Sequence, residues 1–110
     1  MAEVVTQAGL LQGGWRSLPF EPFRDGVEIH WLVTGTPGVA LLRYQPGASV
    51  PRHRHEGLET IVVLEGEQED ERGVYGTGCL VCNPAGSEHA VRSGPGCVVL
   101  INWEKPVTFI

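Results

Sequence analysis

A chain of 110 residues has the length of one domain, because two independent cores of half that size would each be marginal. Its 13 acidic and 8 basic residues give a net charge of −5, which excludes the cationic footprint of a nucleic-acid binder. No apolar run approaches the ~20 residues that span a bilayer. The start, MAEVVTQAGLLQGGW, has neither a basic n-region nor an apolar h-region, so the expected compartment is the cytoplasm.

Fifteen Gly and eight Pro are scattered between short apolar runs, the punctuation of an all-β chain. Residues 1–14 show no clear period and read as an arm or a short first strand. Residues 1–26 together form an N-terminal arm and lead-in, and a β-barrel domain is expected over 27–110. Within VEIHWLV, Val27, Ile29, Trp31 and Val33 share one face. TGTPG turns the chain into VALLRY, which ends at Gln45-Pro46-Gly47. In ETIVVLEG, Glu59, Ile61 and Val63 face one way and Thr60, Val62 and Leu64 the other. The acidic stretch Glu67, Glu69, Asp70, Glu71 reads as a solvated hairpin closing at Gly73. VYGTG, CLVCNPAG, HAVRS, CVVLINW and PVTFI complete the series, which fits a sandwich or a closed barrel.

Three cysteines, an odd number, suit a reducing compartment better than a disulfide framework. Cys79 and Cys82 have CxxC spacing. On one strand, however, they lie about 10 Å apart on opposite faces, beyond disulfide reach. Both, with Cys97, are expected to be packed thiols.

On a strand, His53 and His55 project from one face about 6.6 Å apart and can lean onto a common ion. Glu59 has the same parity, with Gly57 as a place to bend, and His89 follows 30 residues after Glu59. His-x-His alone is weak evidence, Glu59 alone suits a solvated strand, and His89 alone could simply pack. The joint spacing carries the assignment of His53, His55, Glu59 and His89 as ligands of one divalent metal. Three imidazoles and a carboxylate suit Zn or Fe foremost, then Mn, Ni or Cu, and argue against Ca or Mg. His30, on the face opposite Trp31, is expected to be no ligand. Trp31, Tyr44 and Trp103 are candidates to line a cavity or simply to pack, and Arg52 and Arg54, which could attract an anionic substrate, are expected on the rim.

Two blocks carry a family resemblance. Gly47, five residues, His53-x-His55, three residues, Glu59, six residues and Gly66 resemble the first cupin motif. Gly78, five residues, Pro84-x-Gly86, two residues, His89, three residues and Ser93 resemble the second, with Ser93 where the family has Asn. The resemblance implies a small single-domain cupin, a double-stranded β-helix or jelly-roll-like barrel. The LEG after Glu59, the acidic hairpin before Gly73-Val74-Tyr75, the NPAGSEH turn and the Gly-Cys opening the late strand narrow it. These features, within roughly residues 15–107, are similar to the cupin domain of ChrR-type anti-sigma factors. In that family the matching two histidines, glutamate and third histidine hold a zinc-like ion.

ChrR-type regulators also carry an N-terminal zinc-binding domain that grips the sigma factor. Residues 1–14 hold no such unit, so sigma-factor binding is not expected. Three readings follow. One is a ChrR-like metal-binding module that senses a small molecule or oxidant, with zinc bracing the barrel. The alternative is a metal-dependent enzyme, foremost an Fe(II) dioxygenase acting on a small molecule. The third is a dimer building block, for which residues 1–26 could supply an exchanged arm. The resemblance implies a homodimer; composition does not. No nucleic-acid or membrane partner is expected.

Overall fold

Alternation along the strands decides which side chains are enclosed. In the computed structural model, which describes residues 2–110, ten strands are present. They are β1 (Glu21–Arg24), β2 (Val27–Val33), β3 (Gly38–Tyr44), β4 (Ser49–Arg54) and β5 (Glu59–Asp70), then β6 (Gly73–Gly76), β7 (Leu80–Asn83), β8 (Glu88–Arg92), β9 (Cys97–Trp103) and β10 (Thr108–Phe109). Among the described residues no helix is long and apolar enough to cross a membrane.

The strands pair in the order β1-β2-β3-β9-β5-β8-β4-β10, with β6 and β7 also on β5. All the pairs are antiparallel. β5 is the hinge of the fold. Its first half, from Glu59, lies between β9 and β7, and its second half, to Asp70, pairs with β6 and touches β8. Between Val63 and Glu65 the register slips by a bulge, a device that lets one strand turn from one sheet to the next. The all-β jelly-roll expected from the sequence is the fold observed.

Inside the barrel, Val27, Ile29, Ala40, Leu42, Tyr44, Ile61, Val63, Val91, Cys97, Val99 and Ile101 form the main core. β3 and β9 read as near-continuous apolar runs because their outer faces are also covered. Trp15, 5% exposed, packs there with Leu41 and Val98. Among the described residues the N-terminal segment therefore adds no strand before Glu21. It forms two 3-10 turns, Leu10–Gln12 and Gly14–Ser17, that seat Trp15 on its own barrel. Met1 lies outside the described residues. His30 faces the same outer layer, where Nδ1 donates to the Pro19 carbonyl at 2.8 Å, away from the other three histidines.

Candidate metal centre

β4 and β8 are neighbours, and their register sets His53 directly opposite His89. His55 follows the end of β4 and is anchored to the turn before β8. Its N–H donates to the Ser87 carbonyl at 2.9 Å, and its carbonyl accepts from Gly86 N–H at 2.7 Å. Gly86 holds a φ of +91°, a left-handed conformation that suits glycine in this turn. The result is three buried imidazoles, with His53, His55 and His89 exposed by 5%, 1% and 2%. Ring centroids are 5.2 Å apart for His53–His55 and 4.7 Å for each pair with His89. One ring nitrogen from each lies within 4.8 Å of the other two.

Each Nδ1 is committed elsewhere. His53 Nδ1 faces the Pro51 carbonyl at 2.8 Å, His55 Nδ1 the Ser87 carbonyl at 3.0 Å, and His89 Nδ1 the Asp70 carboxylate at 2.9 Å. Those oxygens can only accept, so each Nδ1 carries the proton and each Nε2 keeps a lone pair. His55 Nε2 is buried with no hydrogen-bond partner. An orphaned buried nitrogen in a ring of others is what a metal ion satisfies, and the donor set fits one.

Glu59, 4% exposed, opens β5 beside this group but is not within its 4.8 Å circle. Its Oε1 lies 3.3 Å from His55 Nε2, without hydrogen-bond geometry, and accepts from Asn83 Nδ2 at 3.2 Å. Burial alone would lower the pKa of His55, but the Glu59 carboxylate outweighs it and raises the value. Burial lowers that of His53. The topology thus gathers the three histidines tightly and brings Glu59 to their side.

Asp70 corrects the reading of residues 67–71 as a solvated hairpin. Its side chain is 3% exposed and accepts from His89 Nδ1 and, at 2.9 Å, from Tyr75 Oη. Burial pushes its carboxyl up, but bonds from His89, the Arg72 N–H and Tyr75 together hold it below the usual range. Gln68, 3% exposed, is also inward. The signal available was alternation, Gln68 and Asp70 against Glu67 and Glu69. Counting in twos from Glu59 hides it, because the bulge after Val63 reverses the parity.

Above the histidines lies a cavity of about 330 Å³. His53, His89 and Glu59 line its floor, and His55 lies behind them. Trp31 and Trp103, both expected cavity candidates, line the wall with ring centroids 5.6 Å apart, beside Phe23. Tyr44 lines it too, and burial raises its phenol pKa. Arg24, unremarked in the sequence, is a further wall residue. Arg52 and Arg54 form rim ion pairs with Glu71, Glu88 and Glu56, as their surface placement requires.

The cysteines divide. Cys97 is 4% exposed, and burial pushes its thiol up to about 11. Cys79 is partly buried against the core, whereas Cys82 is exposed, because it falls on the outward face of β7. The packed-thiol expectation therefore does not hold for Cys82. Ser93, where cupins have Asn, is fully buried and joins two strand ends: its Oγ donates to the Glu67 carbonyl and its own carbonyl accepts from Gly47 N–H at 2.8 Å.

A family model described as the ChrR Cupin-like domain matches residues 13–106. Anti-sigma-E factor ChrR of Cereibacter sphaeroides is 34% identical over 98 residues, which make up 86% of this chain and 44% of that protein. This chain thus spans less than half the length of that relative. The crystal structure of Rhodobacter sphaeroides SigE in complex with the anti-sigma ChrR matches with a TM-score of 0.71 at 28% identity, over 80% of this chain and 49% of that one. An acetylacetone dioxygenase from Acinetobacter johnsonii matches over 100% of this chain and 78% of its own, with a TM-score of 0.79 at 16% identity, a likeness of fold. The match to the family model spans both histidine blocks and the hairpin between them, and the chain belongs to the ChrR cupin-like family.

Proposed function

We propose that this domain binds one divalent transition-metal ion through Nε2 of His53, His55 and His89, with Glu59 as the fourth ligand. One observation carries the reading: all three Nδ1 atoms are tied to acceptors, which leaves the three Nε2 lone pairs free, in a cluster where one ring nitrogen of each histidine lies within 4.8 Å of the others. A nitrogen-rich donor set with one carboxylate favours Zn or Fe, with Mn, Ni and Cu also suited. Glu59 lies 3.3 Å from His55 Nε2 and can join through a side-chain rotation, since among the described residues only Asn83 donates a hydrogen bond to it. Asp70 holds the His89 ring in place through its bond from Nδ1.

The cavity favours a metal centre that meets a small molecule over one that only braces the barrel. His53, His89 and Glu59 face open space, whereas a purely structural site is closed by protein on all sides. Such an ion supplies Lewis-acid chemistry and, as iron, redox chemistry. Both the small-molecule or oxidant sensor and the Fe(II) dioxygenase use this arrangement. Sensing is the first reading because the relative at 34% identity is named a regulator, and the dioxygenase is the second. The sigma-factor partner of the relatives is not carried over, because the match covers 44% of that protein.

Metal analysis of protein purified without a chelating column tests the proposal. Wild type should carry close to one ion per chain, and His53→Ala/His55→Ala should carry almost none. Equal metal in the two would overturn the assignment. Oxygen uptake by the iron-loaded protein over a panel of small molecules separates the enzyme from the sensor.

A further inference from the structure

The cavity holds an unpaired cation. Arg24 stands at the end of the edge strand β1, and its Nε is buried without a hydrogen-bond partner. None of the ion pairs among the described residues involves it. Its guanidinium instead lies over Phe109, 4.7 Å from the ring centroid, and Phe109 in turn stands 5.8 Å from the His53 ring. Phe109 therefore bridges the arginine to the floor of the cavity, where β10 pairs with β4. A guanidinium nitrogen buried without an acceptor is costly, and a ring face compensates only part of that cost.

The charges of the cavity make the same demand. Three neutral imidazoles and the Glu59 carboxylate leave a divalent ion with one uncancelled positive charge. Asp70 does not supply the missing anion: it lies behind His89, with Arg72 Nη1 3.6 Å from its carboxylate. Arg24 adds a second uncancelled charge in a space otherwise walled by Trp31, Trp103, Phe23 and Ile101. Two cationic centres in an apolar, aromatic chamber favour a small organic anion over a neutral apolar molecule.

We infer that the cavity takes a small monocarboxylate with a flat, apolar body, its carboxylate recognised by Arg24 together with the metal and its body held against Trp31 and Trp103. Arginine suits this role because its planar fork donates two parallel hydrogen bonds to a carboxylate. The inference rests on the metal-centre reading for one of its two charges and on Arg24 for the other.

Trp31 and Trp103 make the protein its own reporter. Zinc-loaded protein is titrated with benzoate and phenylacetate, and separately with benzamide and phenylacetamide, while tryptophan emission is followed. Metal content is measured on the same sample. Wild type should bind each carboxylate at least about tenfold more tightly than its amide, the worth of one charge-assisted hydrogen bond. Arg24→Gln should lose most of that preference without weakening amide binding, and Arg24→Lys should restore part of it. Equal binding of acid and amide, a preference that survives Arg24→Gln, or no response to any of the four overturns the inference. If the metal-replete protein shows no preference, this inference fails and the metal reading stands. If the protein takes up no metal yet keeps a preference that depends on Arg24, the metal reading fails together with the metal's share in the carboxylate site, and the share of Arg24 stands. Far-ultraviolet circular dichroism of both variants verifies that they fold.

Discussion

Asp70 shows how one side chain prepares another. Its carboxylate accepts from His89 Nδ1 at 2.9 Å, so the imidazole is held in one tautomer with Nε2 turned to the site. Loss of such a partner costs about 10- to 100-fold in metal affinity. Asp70→Asn should weaken zinc binding by that factor in a competition titration against a chromogenic chelator, with its fold retained. The same variant has a signature in acid. The folded protein lowers the Asp70 pKa, so its stabilising contribution is present above the ordinary aspartate value of about 3.9 and lost as pH falls below it. Metal-free wild type should therefore lose stability more steeply than Asp70→Asn between about pH 5 and pH 3, measured by urea denaturation. Parallel acid limbs would show that the carboxylate is not held as described.

At the scale of elements, β5 does the most. Its first half supplies Glu59 and the core residues Ile61 and Val63, and its second half, past the bulge, turns Gln68 and Asp70 inward. Gly66 permits the change of direction. Its φ is +77°, and a Cβ there would collide with the carbonyl oxygen of Gly96 on the neighbouring loop. The N-terminal segment has a different task, covering the outer face of β3 and β9 with Trp15. Truncation of a large buried aromatic typically costs about 3–5 kcal/mol. Trp15→Ala should thus lower stability by that amount and leave zinc stoichiometry unchanged in protein that remains folded, because the cluster around Trp15 includes none of His53, His55, Glu59 and His89. A loss below about 1 kcal/mol would mean that the segment merely rests on the barrel.

For the molecule as a whole, the proposed metal would tie together strands distant in sequence. His53 and His55 come from the region of β4, Glu59 from β5 and His89 from β8. A ligand that binds only the folded state stabilises it by about 2.7 kcal/mol at a hundredfold excess over its dissociation constant. Zinc added to chelated wild type should raise Tm by on the order of 10 °C, and should leave His53→Ala/His55→Ala unmoved. An equal shift in both would place the ion elsewhere on the chain.

The sequence by itself determined the all-β class and the two histidine blocks, and it offered Trp31, Tyr44 and Trp103 only as residues that line a cavity or simply pack. Each depends on local alternation, turn residues or spacing, which a linear chain carries in full. Only the tertiary structure decided that Asp70 is buried behind His89, that Cys82 faces solvent, and that Arg24 stands unpaired in the cavity wall. Those outcomes depend on a bulge that reverses parity and on strands far apart in sequence meeting across the barrel. No local pattern encodes such encounters, because they arise only when the sheets close.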